Sequence, residues 1–112
     1  MKNLQQSHLA NPTVRSIFEC ARPILPKGAR VILFGSQARN EATPTSDWDV
    51  LVLLDQDHID EHEHDRYTYP LWQLGWNINQ MIHPMVYTFR QWEQRKGSPF
   101  YENVEAEGIQ LC

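Results

Sequence analysis

The chain predicts an α+β fold, a small mixed β-sheet flanked by helices laid out as α-β-β-α-β-α. Three observations carry that expectation. Val31-Ile32-Leu33-Phe34 and Val50-Leu51-Val52-Leu53-Leu54 are continuous apolar runs with β-branched members, as buried strands require. Apolar residues at helical spacing and turn-forming residues frame both runs. Asp47 and Asp49 stand at the mouth of the second run, and solubility alone does not account for two acids there.

Taken in order, Asn11-Pro12 suits an N-cap followed by the first helical position, and Val14, Ile17, Phe18 and Ala21 then recur on one helical face. Pro23 and the Pro26-Lys27-Gly28 turn end that helix before the first strand. Gly35 follows the strand and lets the backbone turn and approach a ligand, having no Cβ to clash. If residues 36–39 open a helix, their free N–H groups and positive dipole end face that ligand, and an anion is its natural occupant. Ser36 adds a hydroxyl donor and Arg39 a planar guanidinium suited to phosphate oxygens.

In the second strand, residues 47–54, alternation sends Asp47 and Asp49 to one face and Trp48 to the other, beneath a helix. Paired carboxylates repel unless a divalent cation sits between them, and oxygen-only ligands favour Mg²⁺ or Mn²⁺ over zinc. Asp55-Gln56-Asp57-His58 is a polar turn, and residues 59–74 read as mainly helical, kinked or divided by Pro70. The third strand is expected after Gly75, within residues 76–87. Thr88 and Gln91 have capping-box spacing for a short helix through Arg95, and Ser98-Pro99 starts another that runs to Gly108.

Length and charge narrow the function classes. The 112 residues, 41% of them hydrophobic, are read as a single domain, 1–112, with a genuine core. A net charge of −4 and the lack of any basic run argue against extended nucleic-acid binding. No apolar stretch approaches a membrane span and no secretory signal opens the chain, so a cytoplasmic location is expected. Cys20 and Cys112 do not make a disulfide framework. His58 and His62 have i, i+4 spacing, but with His64 they alternate with acids and read as a solvated face. Tyr67, Tyr69, Trp72, Trp76, Tyr87 and Trp92 read as core or a partner surface.

Residues 31–54, with Gly35-Ser36, ten residues, then Asp47-x-Asp49, resemble the signature of the polymerase-β-like nucleotidyltransferases, especially their minimal single-domain members. The resemblance implies that fold, with Gly35 and Ser36 binding an NTP, ATP foremost, and Arg39 an auxiliary phosphate contact. It makes Asp47 and Asp49 the catalytic pair and the ligands of Mg²⁺ (or Mn²⁺). The implied reaction is Mg²⁺-dependent transfer of a nucleoside monophosphate to an acceptor hydroxyl. A module that binds NTP and metal but turns over weakly, serving as the antitoxin-like partner of a small helical HEPN-type protein, is the alternative, and self-association is the other protein contact it implies. Two departures stand out. Asn40 follows Arg39 where the family usually has Gly, and Asn tolerates left-handed geometry. The family's third carboxylate, on a later strand, has no counterpart within residues 76–87, where Asn79, Gln80 or His83 takes its place.

Overall fold

A computed structural model describes residues 1–112. Its strands are β1 (Lys2–Asn3), β2 (Arg30–Phe34), β3 (Trp48–Leu54), β4 (Ile82–Thr88) and β5 (Ile109–Gln110). The helices are α1 (Gln6–Leu9), α2 (Pro12–Ala21), α3 (Glu61–Ile78), α4 (Phe89–Glu93) and α5 (Pro99–Glu107), with a 3-10 turn at Arg22–Ile24. The strands form one mixed sheet in the order β1-β5-β2-β3-β4. The pair β2–β3 is antiparallel and β3–β4 parallel, so α3 is the crossover between them. This is the α+β architecture that the apolar runs predict.

Alternation along β3 divides the core in two. Trp48, Val50, Val52 and Leu54 join Val31 and Leu33 beneath α2 and α3, which contribute Val14, Ile17, Ala21, Tyr67 and Leu71. Leu51 and Leu53 join Ile32 on the opposite face, under Trp92, Tyr101 and Val104 of α4 and α5. Leu71 is wholly buried, and truncating such a residue to Ala costs about 2–5 kcal/mol. The second cluster is the smaller, with six buried residues against sixteen. It covers β3 only as far back as Leu51, so Asp49, on the same face, lies outside it.

The helix boundaries differ from expectation where capping overrides composition. Pro70 does not divide α3, which is continuous from Glu61 to Ile78. Gly75 does not start the third strand. It is buried inside α3, where an added Cβ would lie 2.6 Å from the Gln80 carbonyl oxygen. The helix ends instead at Asn79, which adopts the left-handed conformation (φ 56°), with its N–H donated to the Gly75 carbonyl. Residues 36–39 form a run of turns rather than a helix. The two-residue strands β1 and β5 and the one-turn helix α1 were not expected, being too short to show a period.

Candidate functional site

Gly35 follows β2 at φ 78°, a conformation that turns the chain sharply and that side chains resist. The next turns close on themselves. Ala38 and Arg39 donate their N–H groups to the Gly35 carbonyl, and Glu41 donates to that of Ser36. The N–H groups of Gly35, Ser36 and Gln37 donate to no group in the chain. The helix start expected at residues 36–39 does not form, and a tight turn with successive free N–H groups stands in its place, a backbone shape that can cradle an anion. Asn40 takes the left-handed conformation (φ 59°), the role for which Asn substitutes best for glycine.

Across the sheet, Phe34 pairs with Asp49, and the Asp49 carboxylate lies against Gly35 so closely that any Cβ there would collide with Oδ2. Loop and acid therefore share one end of the sheet. Asp49 is half-buried, and burial pushes its carboxyl above the ordinary carboxylate range. The nearby Asp47 charge adds to that rise, while His83 and Arg39 oppose it. Asp47 precedes β3, is exposed, and has Oδ2 3.2 Å from His83 Nε2. No three His, Cys, Asp or Glu side chains converge on one point as the chain stands. Two neighbouring carboxylates, one of them desolvated, are nevertheless a donor set suited to a hard cation.

The three residues weighed for the missing acid separate cleanly. Asn79 caps α3 outside β4 and is exposed. Gln80 Oε1 accepts the Trp48 Nε1–H at 3.0 Å, which places it with the core side of β3. Only His83 stands level with Asp49, by the parallel register of β3 and β4. Its ring meets that of Trp72 edge-on, with centroids 5.7 Å apart. The alternation of β4 carries this information, but it is legible only once the helix boundary at Asn79 is known.

Arg39, exposed, pairs with Glu41 at 3.2 Å and Glu107 at 3.4 Å, so its guanidinium is shared with two carboxylates. The largest cavity, about 700 Å³, lies behind the loop, between Asn11, Thr13, Gln37, Asn40, Trp48 and Gln80. It opens on the Trp48 side of β3, away from the carboxylates, and the free N–H groups and acids define the site better than its volume does. His58 precedes α3 and does not share a helical face with His62. The aromatics divide between core, with Tyr67 and Trp92 buried, and surface, with Tyr69 56% and Trp76 66% exposed.

The mixed sheet with α3 as its crossover matches a known class. The sequence fits the family model of the nucleotidyltransferase domain over residues 14–106, and the chain belongs to that family. Two solved structures share the fold. One, a toxin–antitoxin with AMP-PNP, is 22% identical with a TM-score of 0.61, covering 88% of this chain and 71% of its own. The other, a mutant of the toxin–antitoxin MntA-HpeT, is 20% identical with a TM-score of 0.58, covering 88% and 70%. No curated protein matches the sequence. No helix is long and apolar enough to cross a membrane.

Proposed function

We propose that the chain transfers a nucleoside monophosphate from an NTP, ATP foremost, to an acceptor hydroxyl, using Mg²⁺ or Mn²⁺ held by Asp47 and Asp49. The contact of the Asp49 carboxylate with Gly35 carries this reading, because it joins a set of free N–H donors to the acids that would hold the cation. The cation, when bound, supplies charge neutralisation on the triphosphate. The chain's own groups do the rest. The N–H groups of Gly35, Ser36 and Gln37 hold phosphate oxygens, helped by the Ser36 hydroxyl and the Arg39 guanidinium. The acceptor oxygen bonds to the α-phosphorus, the bond to the bridging oxygen breaks, and pyrophosphate leaves. The acceptor proton passes to a carboxylate oxygen of the pair. Positioning and charge stabilisation account for most of the rate in such a scheme.

A second reading has its own support. No carboxylate faces the pair from β4, and Tyr69, Trp76 and Met81 are exposed together near its entry. Those features, with the toxin–antitoxin assemblies that share the fold, support an NTP- and metal-binding module of weak turnover that docks on a small helical HEPN-type protein. Incubating the purified chain with divalent metal and each labelled NTP, with and without lysate, separates the two. A labelled product lost in Asp47→Asn and Asp49→Asn supports transfer. Nucleotide binding without product supports the module, and neither binding nor product removes both.

A further inference from the structure

The one nitrogen donor at the acidic end of the sheet is the His83 imidazole. Parallel pairing sets His83 level with Asp49, and in β4 it alternates with Met85 and Tyr87 on the face that carries Leu51 and Leu53. Its Nε2 lies 3.2 Å from Asp47 Oδ2. Two ligands at right angles on a small divalent ion, each about 2.1–2.2 Å from it, stand about 3.0–3.1 Å apart. The two atoms are already in direct contact, at a separation close to that of neighbouring ligands on one cation. Trp72, edge-on to the imidazole at 77°, limits how far the ring can swing. Asp49, level with His83 in the register of β3 and β4, stands beside them as the third donor.

We propose that His83 Nε2 is a direct ligand of the cation and that it biases the site toward Mn²⁺ and away from Mg²⁺. The proposal rests on the reading of Asp47 and Asp49 as cation ligands. Mg²⁺ takes oxygen donors and gives up its water reluctantly, whereas imidazole is a softer donor that first-row transition ions accept. Mn²⁺ stands at the hard end of those ions, so it suits two carboxylates, phosphate oxygens and a single nitrogen. Bound this way, the ring carries its remaining proton on Nδ1.

The test uses the full chain and reads metal binding rather than turnover. Pulsed electron paramagnetic resonance of the Mn²⁺-loaded protein should show modulation from a directly bonded nitrogen. Labelling histidine with ¹⁵N should change its frequency without any substitution. In His83→Asp and His83→Ala the nitrogen modulation should vanish. In His83→Asp the preference for Mn²⁺ over Mg²⁺, measured by competition, should fall by about tenfold or more, the low end of effects seen when groups around a metal are changed. Mn²⁺ binding that needs Asp47 and Asp49 but shows no histidine modulation, or an unchanged preference in His83→Asp, overturns the proposal alone. Binding that ignores Asp47→Asn and Asp49→Asn, or no binding at all, overturns the site reading with it.

Discussion

The antiparallel β2–β3 pair ends at both extremes in a glycine with positive φ packed against an aspartate, yet the two ends are chemically unlike. At one end Gly28 (φ 83°) faces Asp55, whose Oδ2 would lie 3.0 Å from an added Cβ. At the other Gly35 (φ 78°) faces Asp49. Asp55 is exposed, while Asp49 is half-buried, and burial, with the Asp47 charge adding to it, raises its pKa. The same backbone device closes a turn at the first end and builds a candidate site at the second. Burial of the acid makes the difference, and glycine alone does not.

Valine at each glycine should break the comparison most sharply. Forcing a side chain into the left-handed region costs about 1–3 kcal/mol, so both Gly28→Val and Gly35→Val should lower the melting temperature. Exposed Asp55 can rotate out of the way, whereas the Asp49 carboxylate cannot without leaving the site. Calorimetry should therefore show NTP binding abolished in Gly35→Val and retained in Gly28→Val. Loss in both, or in neither, would take the loop out of the site.

The acids give the next largest effect. Asp47→Asn and Asp49→Asn should each weaken metal-dependent nucleotide binding, and Asp55→Asn should not. Stability should move the other way. A carboxyl whose pKa is raised in the fold binds its proton more tightly there than in the unfolded chain, so the fold loses stability as pH rises from the ordinary Asp value of 3.8 upward. With chelator present, the melting temperature of Asp49→Asn should thus exceed that of the wild type at neutral pH and converge with it in acid. A wild-type advantage at neutral pH would contradict the burial of that charge.

How much of this was legible in the sequence follows from the range of each interaction. The apolar runs, the Asn11, Thr88 and Ser98 caps and the turning of Trp48 into the core opposite Asp49 are local patterns, and each reappears in the fold, although Asp47 falls just outside β3. What failed was decided by tertiary contact. Gly75 read as a stop, but it is small because Gln80 passes over it, and the true stop is Asn79. That shift removed Asn79 from the strand and left His83 as the residue opposite the acids. The ion pair of Arg39 with Glu107 spans 68 positions and has no local signature.

Ser36 should contribute a moderate share. Its hydroxyl stands at the opening of the turn, and Ser36→Ala should weaken NTP binding by about 1–3 kcal/mol, the range for one hydrogen bond to a charged group, with no change in melting temperature beyond that of a surface substitution. An unchanged Kd by calorimetry would leave the backbone N–H groups as the loop's only phosphate contacts.

The smallest effect belongs to the arginines at the two ends. Arg30, beside Gly28, stacks over the Phe89 ring at 5.6 Å and faces no anion, so Arg30→Ala should leave NTP affinity unchanged. Arg39 is divided between Glu41 and Glu107, and to meet a phosphate it must exchange carboxylate contacts for phosphate ones. Exposed pairs of this kind hold weakly and are screened by salt, so the exchange is close to balanced. Arg39→Ala should accordingly weaken NTP binding less than Ser36→Ala does, and Glu41→Gln should strengthen it by releasing the guanidinium. The gain should shrink as ionic strength rises, because salt loosens the competing pair in the wild type. Tighter binding in Arg39→Ala, or weaker binding in Glu41→Gln, would show that the guanidinium serves the Glu41–Glu107 clasp and not the nucleotide.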